Sequence, residues 1–306
     1  MTAPGPSVLG IGDCTVDIYV DRGVQFPGGN ALNVAVLMAR RGARASFLGC
    51  VGPDALGDLI TEAARAEGVD AGRMRRMSVP TCWSRIRHAD GDRVFDGSRP
   101  QPDGAYALDA ADFDWIGGFD HVHSSIYSIL DADLPRMRAA MRAGAGGTLS
   151  YDFSDEYDEA RFAAVLPHID IAFLSGAERD EAACRSLAVE ASARGPSTVV
   201  VTRGAAGSLA LCDGAFAVAG TTPTEVRDTL GAGDGLIAGF LMARLEGATL
   251  ADALRVGADA AAEVCRDDGA FGHGMPVADG QPGLLCPDPG NPDLKPPSAA
   301  AADIMN

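Results

Sequence analysis

Apolar residues along the chain fall into two alternating rhythms. Short runs rich in Val, Ile and Leu, at Ser7–Ile11, Asp17–Val20, Ala45–Cys50, His121–Ser124, Thr148–Asp152, Ile169–Leu174 and Thr198–Thr202, predict strands. Between them lie longer segments in which apolar positions recur every three or four residues: Ala31–Arg41, Ala55–Glu67, Ala132–Ala143 and Ala177–Ala193. That spacing predicts helices, and Asp54 stands where the N-cap of the second belongs. Strand followed by helix, repeated, is the pattern of an α/β fold with a mostly parallel central sheet.

Two stretches break this alternation. Residues 81–106 contain TCWSRIRHADGDRVF, two short strands around Asp90-Gly91-Asp92, which predicts a hairpin. Such an excursion could close over a site at the strand ends as a lid, and an ordinary edge hairpin accounts for it equally well. From Met275 to Asn306 the chain turns rich in Pro, Gly, Asp and Ala without apolar periodicity, which predicts a flexible tail with no chemistry.

Composition narrows the function. Across 306 residues, 25 Lys and Arg face 42 Asp and Glu, a net charge of −17. This argues against nucleic-acid and anionic-membrane partners, and solubility is its simplest cause. No uncharged apolar run approaches the about 18 residues of a membrane span. The seven cysteines are scattered, with no C-x-x-C and no zinc spacing, and the N-terminus has no signal-peptide pattern, so reduced thiols in the cytoplasm are expected. The single lysine is Lys295, in a Pro-rich stretch. A Walker A loop and the strand lysine of a protein kinase are thereby excluded, and Schiff-base chemistry is disfavoured.

The segment DTLGAGDGLIAGF, residues 228–240, carries the strongest chemical signal. A helix starting near Gly231 or Ala232 offers bare N–H groups and the positive end of its dipole, and small residues let an anion approach them. Asp234 would sit beside that anion. Electrostatics disfavours a carboxylate there unless it removes a proton from a nucleophile attacking the phosphate. A dinucleotide loop is the first alternative, although the third glycine of G-x-G-x-x-G is missing. A plain capped helix is the second.

Residues 228–241 resemble the C-terminal signature of the PfkB/ribokinase family of sugar and nucleoside kinases. PGGNALNVAVLMARRGARASFLGCVGPDALGD, residues 27–58, resembles that family's N-terminal signature. The likeness spans about residues 7–274, with 81–106 as an inserted lid. It implies a ribokinase-like α/β fold, with a mostly parallel sheet, helices on both faces and a small β lid. It also implies transfer of the ATP γ-phosphoryl group to a sugar hydroxyl. By matching position, Asp234 is the base and the amides of Gly231, Ala232 and Gly233 hold the developing charge. Asp17, Gly28, Gly29 and Asn33 match sugar-binding positions, and Asp13 and Asn30 join them by proximity. Carboxylates and amides suit a polyol. A turn residue for Asp13 and an exposed helix position for Asn33 are the plain alternatives.

For the nucleotide, Thr202, Gly204 and Gly207 resemble the family's T-x-G-x-x-G, with Asp228 and Thr229 beside the anion loop. Ala258, Ala262 and Gly269 resemble residues flanking adenine, and helix packing explains the alanines as well. The family's N-x-x-E reads Ser175-Gly-Ala-Glu178 here, leaving Glu178 as the implied link to Mg2+. ATP and Mg2+ are expected, with a monovalent cation as an option, and a homodimer through the lid is one arrangement the family implies. GIGDCTVDIY, GGNALNVAV, DGDRVF and YDFSDEYD resemble the fructosamine kinases of the family, which implies the 6-hydroxyl of a fructoselysine-like substrate. Lid residues such as Arg85, Arg87, Arg93 and Arg99 could then pair with the substrate's amino-acid carboxylate. A fructokinase, ribokinase or nucleoside kinase, a non-catalytic binder of sugar or nucleotide, and a nicotinamide oxidoreductase are the competing readings.

Overall fold

The computed structural model describes residues 4–89, 92–101, 107–176 and 179–278. Its larger sheet is built from β1 (Ser7–Gly12), β4 (Arg44–Val51), β5 (Arg75–Arg76), β8 (His121–Ser125), β9 (Thr148–Asp152), β10 (Ile171–Ser175), β11 (Thr198–Thr202), β12 (Ser208–Cys212) and β13 (Ala215–Ala219). Their spatial order is β13-β12-β11-β10-β9-β8-β1-β4-β5. From β11 to β5 every pairing is parallel, and β12 and β13 add an antiparallel edge. A smaller sheet, β14-β3-β2-β6-β7, joins β2 (Thr15–Tyr19), β3 (Val24–Gly28), β6 (Trp83–Ala89), β7 (Asp92–Arg99) and β14 (Met275–Pro276).

Helices cover both faces of the large sheet, as parallel strands with crossover connections require. On one face α1 (Asn30–Arg40), α2 (Ala55–Ala66), α7 (Ala232–Leu245) and α8 (Leu250–Val264) bury Val8, Phe47, Phe173 and Val200. On the other, α3 (Ala110–Ile116), α4 (Leu134–Ala143), α5 (Glu159–Val165) and α6 (Glu181–Ser192) bury Leu9, Val122, Leu149 and Val199. Successive residues of one strand enter opposite cores because side chains alternate across a sheet. Asp54 caps α2 by accepting from the Gly57 N–H at 2.9 Å, as its position predicts.

Three expectations need correction. The expected hairpin, β6 and β7, does not stand apart: it supplies two strands of a five-stranded sheet, because β2 pairs in parallel with β6. The chain does not leave the fold at Met275: Met275 and Pro276 pair with Gln25 and Val24, and the Val277 N–H donates to Gly23. Only residues 279–306 of the expected tail lie outside the described residues. Helix α6 starts at Glu181, four residues later than its apolar pattern suggests, where Asp180 accepts from the Ala183 N–H.

Candidate active site

The predicted site residues gather where open α/β sheets bind ligands, beyond the carboxyl ends of the parallel strands. Asp13 follows β1 and Thr202 ends β11; Asp152 at the end of β9 and Ser175 at the end of β10, neither a predicted site residue, share that edge. Helix α1 reaches this edge because Gly10 of β1 has no side chain. A Cβ there would lie 2.3 Å from the Ala31 carbonyl oxygen.

The glycine pair before α1 has two separate causes. A Cβ on Gly28 would lie 2.2 Å from Asp17 Oδ2, so the bare position makes room for that carboxylate. Gly29 has φ +105° and a Cβ there would lie 2.6 Å from the Cys14 backbone, so only glycine lets the chain pass. Period two along β2 points Asp17 and Tyr19 the same way. Asp17 reaches Gly28, and the Tyr19 hydroxyl donates to Asp228.

Asp234, in the first turn of α7, is held by two side-chain amides. Asn30 Nδ2 donates to its Oδ1 at 2.7 Å and Asn33 Nδ2 to its Oδ2 at 2.6 Å. Both bonds favour the ionised form. Asn33 is buried, not exposed, and its Oδ1 has no hydrogen-bond partner, leaving an acceptor near Gly28. Asp13 is more than a turn residue: its Oδ1 accepts from Ser125 Oγ at 2.7 Å and Ser128 Oγ at 2.9 Å.

Gly231 caps α7 in the left-handed region, φ +78°. The Ala232 N–H turns back to the Thr229 carbonyl, and the first helical bond runs from the Gly235 N–H to Gly231. The Gly233 and Asp234 amides between them belong to the first turn, which lacks internal acceptors. Gly233 is exposed and nothing lies within 4 Å of where its Cβ would be, so an anion has access to this turn. Gly231 is bare for another reason: a Cβ there would lie 2.5 Å from that of Ala270.

The expected nucleotide residues divide. Thr202, Gly204 and Gly207 form the turn after β11, with the Arg203 N–H donating to the Gly207 carbonyl at 2.8 Å. Thr229 is exposed beside the α7 turn. The Asp228 carboxylate is occupied within the fold: besides Tyr19 it accepts from the Leu230 and Gly269 N–H groups, each at 2.9 Å. Gly269 is thereby tied to the α7 loop and packs on the Phe26 ring. Ala258 and Ala262 are buried on α8. Glu178 lies outside the described residues, and so does the Arg93 side chain. Arg85 is 1% exposed, which removes it from the exposed rim.

Sequence reasoning missed the residues behind Asn30. Its Nδ2 also donates to Asp152 Oδ2 at 2.8 Å, and its Oδ1 lies 2.9 Å from His123 Nε2. Burial, with Asp234 and Asp13 nearby, pushes the Asp152 carboxyl up to about 7. The available signal was His-x-His in β8 beside Ser-x-Asp in β9, where period two places polar residues on one face.

Solved structures with this architecture include the Arabidopsis thaliana ribokinase complexed with ribose and ATP. Its TM-score is 0.74 at 23% identity, covering 92% of this chain and 99% of that one. The Xylella fastidiosa fructokinase with bound ATP has a TM-score of 0.70 at 22% identity, covering 88% and 95%. The fold is therefore that of the ribokinase-like kinases. Residues 9–276 match the pattern described as pfkB family carbohydrate kinase, and the chain belongs to that family. It is 34% identical to the fructosamine kinase FrlD of Bacillus subtilis over 273 residues, 88% of this chain and 94% of that protein. It is 35% identical to the fructoselysine 6-kinase of Escherichia coli over 261 residues, 85% and 98% respectively.

Proposed function

We propose that this carbohydrate kinase uses ATP to phosphorylate the 6-hydroxyl of a fructosamine such as fructoselysine. One observation carries the chemistry: an amide-held carboxylate, Asp234, in the open first turn of a helix. Asp234 accepts the hydroxyl proton as the oxygen attacks the γ-phosphorus. The bond from that phosphorus to the β,γ-bridging oxygen breaks, and ADP leaves. The first-turn amides and the helix dipole stabilise the charge that develops on the phosphoryl oxygens. Asp13, Asp17 and the unpartnered Asn33 Oδ1 are acceptors for the sugar's other hydroxyls, above the close-packed Gly28 and Gly29.

Among the described residues no three His, Cys, Asp or Glu side chains form a metal-binding group. By the family resemblance, Mg2+ would be held chiefly by nucleotide phosphates and water, with Glu178 as the protein's contribution. The ion would neutralise phosphate charge.

The fructosamine choice rests on the two relatives at 34% and 35% identity. A fructokinase of Klebsiella pneumoniae, 30% identical over 256 residues, supports free fructose as the second reading. The test is kcat/KM for fructoselysine, fructose, ribose and adenosine with ATP and Mg2+ under one set of conditions. Fructoselysine should rank first. A preference for fructose or adenosine would overturn the substrate and leave phosphoryl transfer standing.

A further inference from the structure

Behind the candidate base runs a buried row of hydrogen bonds whose direction can be worked out. Asn30 Nδ2 faces two carboxylates, Asp152 at 2.8 Å and Asp234 at 2.7 Å. With Asp234 ionised, only the NH2 side of the amide can face it, so Asn30 Oδ1 must accept. Its neighbour at 2.9 Å is His123 Nε2, which therefore carries the proton. His123 Nδ1 is left as an acceptor for Ser150 Oγ at 2.7 Å. Ser150 Oγ, having donated there, accepts from His121 Nε2 at 2.9 Å. His121 Nδ1 then accepts from Thr148 Oγ1 at 2.8 Å. Each ring has one donor and one acceptor, and both are satisfied.

We infer that His123 is a positioning residue for phosphoryl transfer: its Nε2–H, donating to Asn30 Oδ1, anchors the far end of the amide whose N–H groups rest on Asp234 and Asp152. The reverse orientation of this amide would set a carbonyl oxygen against two carboxylates and an NH2 group against Nε2–H. The buried ring, 1% exposed, acts with the carboxylates and holds the amide's position as well as its sense. Burial drives the His121 pKa down to about 3 and that of His123 well below its ordinary value, so both stay neutral donor–acceptor links across the working pH range. The asparagine interrupts any Grotthuss path, so the row orients Asp234 and does not carry its proton away.

This inference rests on Asp234 being the base, and the test separates the two. His123→Phe keeps a ring of similar size and removes the donor. It should lower kcat by about 10- to 100-fold, the range for losing a hydrogen bond in a charged network, with the KM for ATP little changed. The acid limb of the kcat–pH profile should move to higher pH, because the Asn30 amide, no longer anchored by His123, holds its N–H less firmly on Asp234. His123→Gln, which returns an N–H near the Nε2 position, should restore most of the turnover and return the limb. Should His123→Phe fail to fold, Ser150→Ala removes the partner of His123 Nδ1 and should shift the limb in the same direction with a smaller loss. An unmoved limb in whichever of these variants folds, or His123→Gln as impaired as His123→Phe, would overturn the inference. Full turnover in Asp234→Asn would overturn the base assignment itself, and this inference with it.

Discussion

The two faces of strands β8 and β9 are built on opposite terms. Toward α3–α6 the strands present Val122, Leu149 and Tyr151, in an apolar core. Toward α1 and α7 the same strands present His121, His123, Thr148, Ser150 and Asp152. Apolar packing gains stability from buried area with little demand on direction. Buried polar groups gain little net stability but must be satisfied in one geometry, and they therefore fix orientation. Here that orientation ends on Asn30 and Asp234. One face holds the sheet together, and the other, on the reading proposed above, positions the candidate base.

The largest expected effect tests the polar side. Asp234→Asn is nearly isosteric and should leave the melting temperature close to wild type. Its kcat should fall by about 10²- to 10⁴-fold, the usual value of general-base assistance. More than about a tenth of wild-type turnover, well above that range, would remove Asp234 from the role. The complementary change is Leu149→Ala on the apolar face, where the side chain is fully buried. It should cost about 2–5 kcal/mol of stability by cavity formation, with kcat per folded molecule unchanged. Denaturant melts and active-site-normalised turnover read both. If Leu149→Ala lowered kcat as far as stability, the division between the faces would fail.

This division also marks what could be read in the sequence. The strands Thr148–Asp152 and Thr198–Thr202 match their apolar runs to the residue, and the glycine-rich start of α7 lies where its composition places it. Those features are local, set by propensity and by the backbone freedom of Gly231. The candidate residues on α1 and α7 came from the glycine-rich helix start, family resemblance and proximity, but the geometry joining them was not legible. Asn30 and Asp234 are 204 positions apart, and nothing local in either segment announces the bond between them. Val24–Gly28 was missed because Pro27 disguises it, and it pairs in a small sheet that forms only when distant segments meet. The imidazoles were missed because burying a histidine needs partners, and Ser150 and Thr148 come from another strand.

A smaller effect separates the two glycines of the anion turn. Gly233→Val projects a side chain into the open space above the amides, and should lower kcat at least about tenfold by keeping the phosphoryl group away. The stability cost should stay under about 1 kcal/mol for a β-branched residue in a first turn. Gly231→Val meets a positive φ and the Ala270 Cβ, so its main loss should be stability. Calorimetric sugar binding and melting temperature distinguish them. Equal destabilisation in both would mean that Gly233 is structural after all.

The smallest expected effect is a pH dependence on the polar face. Asp152 has its carboxyl raised to about 7 by burial first and then by the charges of Asp234 and Asp13, against the donors Ser154 N–H and Asn30 Nδ2. In the unfolded chain the same group titrates near its ordinary value of about 4. Between those two values the folded protein holds a proton that the unfolded chain releases, so this residue's contribution favours the unfolded state increasingly as pH rises from about 4 to about 7, then levels off. Asp152→Asn removes that term and keeps the side-chain shape. Its melting temperature relative to wild type should therefore be more favourable at pH 8 than at pH 5. A Tm difference that stays flat over this interval, or is more favourable at pH 5, would show that Asp152 is already compensated by its neighbours, and that the polar face carries less strain than its crowded carboxylates imply.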